Sequence, residues 1–155
     1  MVLCGGVALG ATADTGIRAV ELRCEQLVNP LAVDAQPPRL SWKIEGERRG
    51  LAQRAYRILV ASQPEVTEQN ADVWDSGKVD SSETVLIPYA GKPLASRQQC
   101  WWKVRAWDEQ GEAGPWSETA TWAMGLLEPG DWKGAYIGLA EADGDPEFPW
   151  LRKAF

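Results

Sequence analysis

Between Gln99 and Trp122 the chain reads QCWWKVRAWDEQGEAGPWSETATW, and this stretch limits the fold more than any other. Cys100, Trp102, Val104 and Ala106 share one parity, while Trp101, Lys103, Arg105 and Trp107 share the other. A β-strand sends alternate side chains to opposite faces, so one face here is apolar and the other is a ladder of indoles and cations. Asp108, Gly111 and Gly114-Pro115 then supply the residues a turn needs. Trp116-Ser117 opens a return strand that runs through Thr119, Thr121 and Trp122. Such a strand pair is a scaffold element and names no chemistry by itself.

The same alternation recurs upstream. Ile17 to Cys24 reads as an opening strand with Val20, Leu22 and Cys24 on one face. A proline-punctuated loop from Asn29-Pro30 to Pro37-Pro38 leads into Arg39 to Glu45, where Leu40, Trp42 and Ile44 point inward. Glu47 to Gly50 turns the chain into Arg54 to Ala61, with Tyr56, Ile58 and Val60 facing the core. Gln63 to Asp72 is polar, with room for one helical turn. Val73 to Val79 reads as a short edge strand bent at Gly77, and Glu83 to Tyr89 as a strand that opposes Val85 and Ile87 to Leu86. Seven short strands at intervals of about ten residues predict an all-β sandwich, and no stretch sustains a helical period. Trp42, Tyr56, Trp102 and Val104 are its expected centre, each large side chain contributing about 1.5–3 kcal/mol on burial.

Composition narrows the function. The 155 residues include nine Trp but only two Phe, so indoles must supply most of the large aromatic burial. Net charge is −6 with no extended basic cluster, which argues against a nucleic-acid partner. The chain contains no His, which removes the commonest general base and metal ligand and every Ser-His or Cys-His nucleophile scheme. Residues 1–13, MVLCGGVALGATA, are uncharged and end in an A-x-A-type cleavage signal before Asp14. They read as the tail of a secretory signal peptide, which predicts an exported protein, periplasmic or extracellular. The positively charged start usual in such a leader is missing, and an apolar leader without an export role is the competing reading. The stretch is too short to span a bilayer. Export would leave Cys24 and Cys100 in the mature chain. An even pair permits a disulfide, and two buried free thiols are the favoured alternative.

The sandwich is expected over residues 17–125. Residues 126–148 have the Gly, Pro and acidic content of a linker, and 149–155, PWLRKAF, read as the first strand of a following, truncated domain. The front of a longer protein is the organisation this predicts.

The run Trp102-Lys103-Val104-Arg105-Ala106 resembles the aromatic-Arg-Val-Arg-Ala run that the penultimate strand carries in fibronectin type III and immunoglobulin-like seven-stranded β-sandwiches. A longer resemblance is carried by LRCEQLVNPLAVDAQPPRLSW (Leu22 to Trp42), QRAYRILVAS, VWDSGKV, WWKVRAWDEQGEAGPWSE and the terminal PWLRKAF. In that order these are similar to landmarks of secreted bacterial α-L-rhamnosidases. The resemblance implies a non-catalytic N-terminal module of a multidomain inverting glycoside hydrolase. Its α/α barrel and acid–base pair would lie beyond Phe155. The implied partners are the downstream domains of the same polypeptide and, through the parent enzyme, a rhamnose-containing glycan. One departure concerns the corner where fibronectin-like domains place a Tyr hydroxyl against nearby backbone. Leu94 fits the spacing, but position 100 is Cys, a loss of about 1 kcal/mol.

An inverting glycosidase needs two carboxyl groups roughly 6.5–9.5 Å apart. Asp72 and Asp75, which flank Trp74, and the turn carboxylates Asp108, Glu109 and Glu112 read as solvated loop charges. Glu141, Asp143, Asp145 and Glu147 alternate in a Gly/Pro loop but lack the distant bidentate Glu of an EF-hand. No catalytic, cofactor-binding or metal-ligating residue is therefore assigned. The ladder of Trp101, Lys103, Arg105 and Trp107, faced by Trp116, reads as cation–π packing on the outer face. A sugar-stacking platform or a domain interface are its rival readings. At the level of function, the rivals are a carbohydrate-binding module and an adhesion or protein-recognition sandwich.

Overall fold

The computed structural model describes residues 16–134; the leader 1–13, residues 135–148 of the linker and the strand at 149–155 lie outside them. Nine strand segments form two antiparallel sheets. The smaller has the order β1 (Arg18–Cys24), β2 (Arg39–Glu45), β6 (Ile87–Pro88). The larger is built on β3 (Gln53–Ala61) and β7 (Gln99–Asp108). Flanking β3 are β4 (Trp74–Asp75) and β5 (Val79–Asp80). Flanking β7 are β8 (Ala113–Trp116) and β9 (Ala120–Ala123). No α-helix occurs among the described residues; a single 3-10 turn lies at Pro129–Asp131. The expected helical turn within Gln63–Asp72 is instead a hydrogen-bonded turn, in which the Thr67 amide donates to the Asn70 Oδ1 at 2.6 Å.

β7 matches the sequence reading in its alternation, and β2 does so at Leu40 and Trp42, while Ser41 is buried as well and Ile44 is only half-buried. Leu40 and Trp42 are buried on β2, and Cys100, Trp102, Val104 and Ala106 on β7. The main core joins these to Tyr56, Ile58, Val60, Ile87, Tyr89, Trp122 and Met124. Within it Trp42 meets Tyr56 edge-on at 5.2 Å, as expected. Trp102 stacks edge-on with Trp122 at 6.3 Å, and Trp122 with Tyr89 at 6.1 Å. The centre of the sandwich is thus a run of T-shaped aromatic pairs, a geometry that the ring quadrupoles favour.

Three strands depart from expectation, each for a local backbone reason. In β1 the register slips between Val20 and Arg23, where Glu21 has φ 48. This bulge changes the inward parity, so Ile17 and Ala19 are buried with Leu22 and Cys24, while Val20 is only half-buried. The strand expected over Glu83 to Tyr89 shrinks to β6. Leu86 has φ 55, Val85 is 59% exposed, and Ile87 with Tyr89 carries the buried face. The sheet stays hydrogen-bonded across the kink, because Thr84 accepts from the Trp42 amide and the Ser41 hydroxyl from the Leu86 amide, both at 2.9 Å. The return strand begins earlier than expected, at Ala113, and includes Gly114 and Pro115. A Cβ on Gly114 would sit 1.6 Å from the Ile17 carbonyl oxygen, so glycine lets the chain entering β1 press against β8. The strand then breaks at Ser117, whose Oγ accepts from the Val104 amide at 3.0 Å and whose amide donates back to Val104 at 2.8 Å.

The corner hydroxyl missing at Cys100 is supplied elsewhere. Tyr89, buried at the end of β6, donates to the Lys92 carbonyl at 2.7 Å and so clips the following loop, while Leu94 packs on the core. A second buried polar device is Gln53. Its Oε1 accepts from Trp42 Nε1 at 2.9 Å, and its Nε2 donates to the carbonyls of Ser81 at 3.1 Å and Glu83 at 2.9 Å. One amide thereby satisfies the core indole and fixes the connection between the sheets.

Two substitutions test this core. Trp42→Ala opens a large cavity and lowers the unfolding free energy by about 3–5 kcal/mol. Gln53→Leu leaves an indole N–H and two carbonyls without partners and costs about 1–3 kcal/mol for a buried group so orphaned. A shift within about 0.5 kcal/mol in urea titration, the range of ordinary surface changes, would refute the role given to Gln53.

Candidate functional site

The carboxylates that sequence alone offers as catalytic candidates are held by the fold in structural roles. Asp72 closes the base of the 62–72 loop, its carboxylate accepting from the Ser62 amide and hydroxyl at 2.8 Å each. These bonds hold its carboxyl below the usual Asp range. Asp75 on β4 takes a two-point bond from Arg57 on β3, with Nε at 2.9 Å and Nη2 at 2.7 Å. The guanidinium in turn holds the Asp75 carboxyl below the usual Asp range. Asp108 ends β7 and accepts from the amides of Gln110 and Glu112 at 2.9 Å, forming the turn into β8. Glu109 faces Arg48 at 3.2 Å. Glu25, at the end of β1, is lowered by its fork to Arg39. A general acid for glycoside cleavage needs a raised pKa, and the shifts at Asp72, Asp75 and Glu25 run the other way. Glu141, Asp143, Asp145 and Glu147 lie outside the described residues, and no group of three potential metal ligands occurs within them.

The Trp ladder is not an open face. Trp116 on β8 lies across from Arg105, whose guanidinium sits 4.6 Å from the indole centroid, with Lys103 Nζ at 5.1 Å. This much follows the sequence reading. Trp107, however, takes its cation from Lys78 at 4.9 Å, and Trp101 packs with Trp116 and Ala71 on a second core of Leu59, Ala61 and Val66. Val66 belongs to the 62–72 loop, which folds over the outer face of the larger sheet and buries it. Glu68 of that loop lies between two cations, at 3.0 Å from Arg57 and 3.9 Å from Arg105. Desolvation lowers the Lys103 pKa, as expected for an ammonium packed between Arg105 and an indole. Sequence gave no sign of this cover beyond the single Val66 in a polar stretch.

A groove of about 620 Å³ runs along β1 beside the Pro115–Ala120 segment, away from the carboxylates considered above. Most of its charges are paired: Arg18 with Glu45 at 2.9 Å, and Glu21 with Arg23 at 3.5 Å and with Lys43 at 2.8 Å. No two free carboxylates converge there. Cys24 and Cys100 are buried free thiols in the main core. Burial pushes both up to about 12.

Comparison with known proteins agrees with this scaffold. Residues 19–128 match the model of the Rha78A-like, N-terminal immunoglobulin domain. The chain is 42% identical over 115 residues to an α-L-rhamnosidase of Formosa agariphila, covering 74% of this chain and 12% of that protein. It is 41% identical over 141 residues to one of Streptomyces avermitilis, covering 88% of this chain and 14% of that protein. The crystal structure of the Streptomyces avermitilis α-L-rhamnosidase complexed with L-rhamnose superposes with a TM-score of 0.69 at 40% identity, over 76% of this chain and 11% of that one. The chain thus spans only 11–14% of the length of these relatives.

Two measurements test the chemistry of these groups. In a Cys4→Ser background, a thiol reagent at about pH 8 labels neither Cys24 nor Cys100 in the native state and both in denaturant, since thiols held neutral are poor nucleophiles. A bonded pair would label at neither stage. Because the Asp75 pKa is lower in the folded state, its pairing stabilises the fold above about pH 4 and is lost as pH falls through the folded value. The melting temperature of Asp75→Asn is therefore below that of the parent at neutral pH, and the gap closes on acidification. A gap that widened in acid would contradict the pairing.

Proposed function

The chain belongs to the Rha78A-like N-terminal immunoglobulin domain family, and we propose on that premise that it is a non-catalytic module bracing the catalytic domain of an exported α-L-rhamnosidase. The observation that carries this reading is the engagement of the candidate carboxylates: Asp72 with Ser62, Asp75 with Arg57, and Asp108 with its own turn. A carboxylate locked to a guanidinium or to backbone amides has no proton to give a leaving group near neutral pH. The parent enzyme would release terminal α-L-rhamnose by an acid–base pair in another domain, and this module would hold that domain in place. The uncharged leader and its A-x-A signal support export.

Sugar stacking on the ladder is the weaker reading, because Trp101, Trp107 and Trp116 are half-buried and occupied by cations or by the 62–72 loop. The 155-residue protein is expected to leave an aryl α-L-rhamnoside unhydrolysed above the buffer rate. Titration with rhamnose is expected to give no saturable change in Trp fluorescence. Turnover abolished by Asp75→Asn, or millimolar binding abolished by Trp101→Ala, would overturn the assignment. In the longer polypeptide, deleting the module should lower the melting temperature of the catalytic part; an unchanged melting temperature would remove the bracing role.

A further inference from the structure

Large apolar side chains are exposed at one end of the sandwich out of proportion to the rest. Leu31 is 82% exposed, Trp132 61% and Leu126 36%, and all three line one groove of about 530 Å³ with buried Met124 at its floor. Trp132 is the one indole largely exposed among the described residues.

The groove is rigidly built. On one side, Val33 donates to the Ala123 carbonyl at 2.9 Å and accepts from the Gly125 amide at 2.8 Å, which fixes the loop bearing Leu31 against β9. On the other, the Ser96 hydroxyl binds Asp131 and accepts from the Leu127 amide at 2.8 Å, while the Arg97 amide donates to the Gly125 carbonyl at 3.0 Å. An apolar surface of this kind, braced on both sides by hydrogen bonds, marks a contact site rather than a loose loop. Its rim is basic. Arg97 and Lys133 line it, both exposed; Arg97 Nη2 donates to the Asp131 carbonyl at 3.3 Å, and neither residue forms a carboxylate ion pair within 4 Å among the described residues.

We infer that this groove is the seat of the chain's own following segment, residues 135–148, which lies outside the described residues. Three observations select that occupant. Gly134 is itself part of the groove wall, so the segment starts inside it. Its first residues are apolar, with Tyr136, Ile137 and Leu139, and the next stretch is acidic, with Glu141, Asp143, Asp145 and Glu147 against the basic rim. About seven residues of extended chain reach ~24 Å, enough to bring Glu141 back to Arg97 or Lys133. A second copy is the poorer occupant, because a two-fold contact would set the same basic rims against each other. The inference rests on the module reading above in that the seated segment is then the entrance to the domain being braced.

Hydrogen–deuterium exchange on the intact 155-residue protein tests this directly. Peptides covering 135–148 are expected to be protected about tenfold over unstructured chain, and high salt should reduce that protection. Leu31→Ser with Leu126→Ser should abolish it while β3 and β7 peptides keep theirs. Should that double variant fold poorly, Asp143→Lys with Asp145→Lys alters only the segment and should likewise abolish the protection. Exchange of 135–148 at the unstructured rate in the parent protein, or protection indifferent to both variants, would overturn the proposal. Protection that grows with protein concentration would assign the groove to a second copy and overturn it too. Failure of the bracing role alone would leave the protection in the 155-residue protein intact, so the two readings fail separately.

Discussion

The ladder between β3 and β7 sets the terms for the rest of the molecule. Its register runs from Gln53 opposite Asp108 to Ala61 opposite Trp101 and places two wide strands at the centre of the larger sheet. The inner face carries Tyr56, Ile58 and Val60 beside Trp102, Val104 and Ala106, and closes on the smaller sheet. The outer face carries Leu59 and Ala61 beside Trp101, among the cations Arg57, Lys103 and Arg105, so part of it is apolar and needs cover. A strand buried on both sides loses simple alternation, and β3 ends accordingly in the continuous apolar run Ile58 to Ala61. The 62–72 loop satisfies the outer face by burying Val66, and its clips at Asp72 and Glu68 follow from that need. Trp101 and Trp116 pack against this cover and stay half-buried.

Charge serves the same end. Arg57, Arg105, Asp72, Asp75 and Glu68 all work to hold the cover and the edge strand β4 on the sheet. Exposed ion pairs contribute about 0–1 kcal/mol each, so their value lies more in fixing which loop lies where than in stability. The two-point Arg57–Asp75 bond is the most specific of them, since a planar guanidinium matches a carboxylate in one geometry. The depressed carboxylate pKa values on this surface are by-products of anchoring.

What sequence made legible was the alternation: β2, β7, the inward Trp42 and the pairing of Trp116 with Arg105 follow from side-chain parity and turn residues alone. The misses share a cause. Glu21 and Leu86 adopt left-handed backbone without being glycine, and no residue-type rule flags either, so the β1 bulge and the shortening of β6 stayed hidden. Gly114-Pro115 looked like punctuation. Only the contact with Ile17 shows that the glycine is there for a close approach within a strand. Gln53 reads as a polar residue at a strand start, and its worth depends on an indole eleven positions earlier turning its N–H inward. Tyr89 supplies a corner hydroxyl from a position the family pattern does not mark. Interactions set by one residue's neighbours in sequence were readable; those set by a partner across the core were not.

The end of the sandwich that bears the exposed groove is also the end most directly joined to the central ladder. Met124 donates to the Gln98 carbonyl at 2.9 Å, and Gln99 at the start of β7 pairs with Ala123. Ser96 and Arg97, immediately before that strand, grip the exit segment at Leu127, Gly125 and Asp131. The exit segment is therefore tied by hydrogen bonds to the turn that opens β7 and, across the ladder, to β3. A module meant to hold a neighbour in place needs a stiff path of this sort from its point of attachment to its core. A binding module needs a site on a face instead. With the outer face of the larger sheet spent on its own loop, the stiff and apolar exit is the part of this domain best suited to work on another.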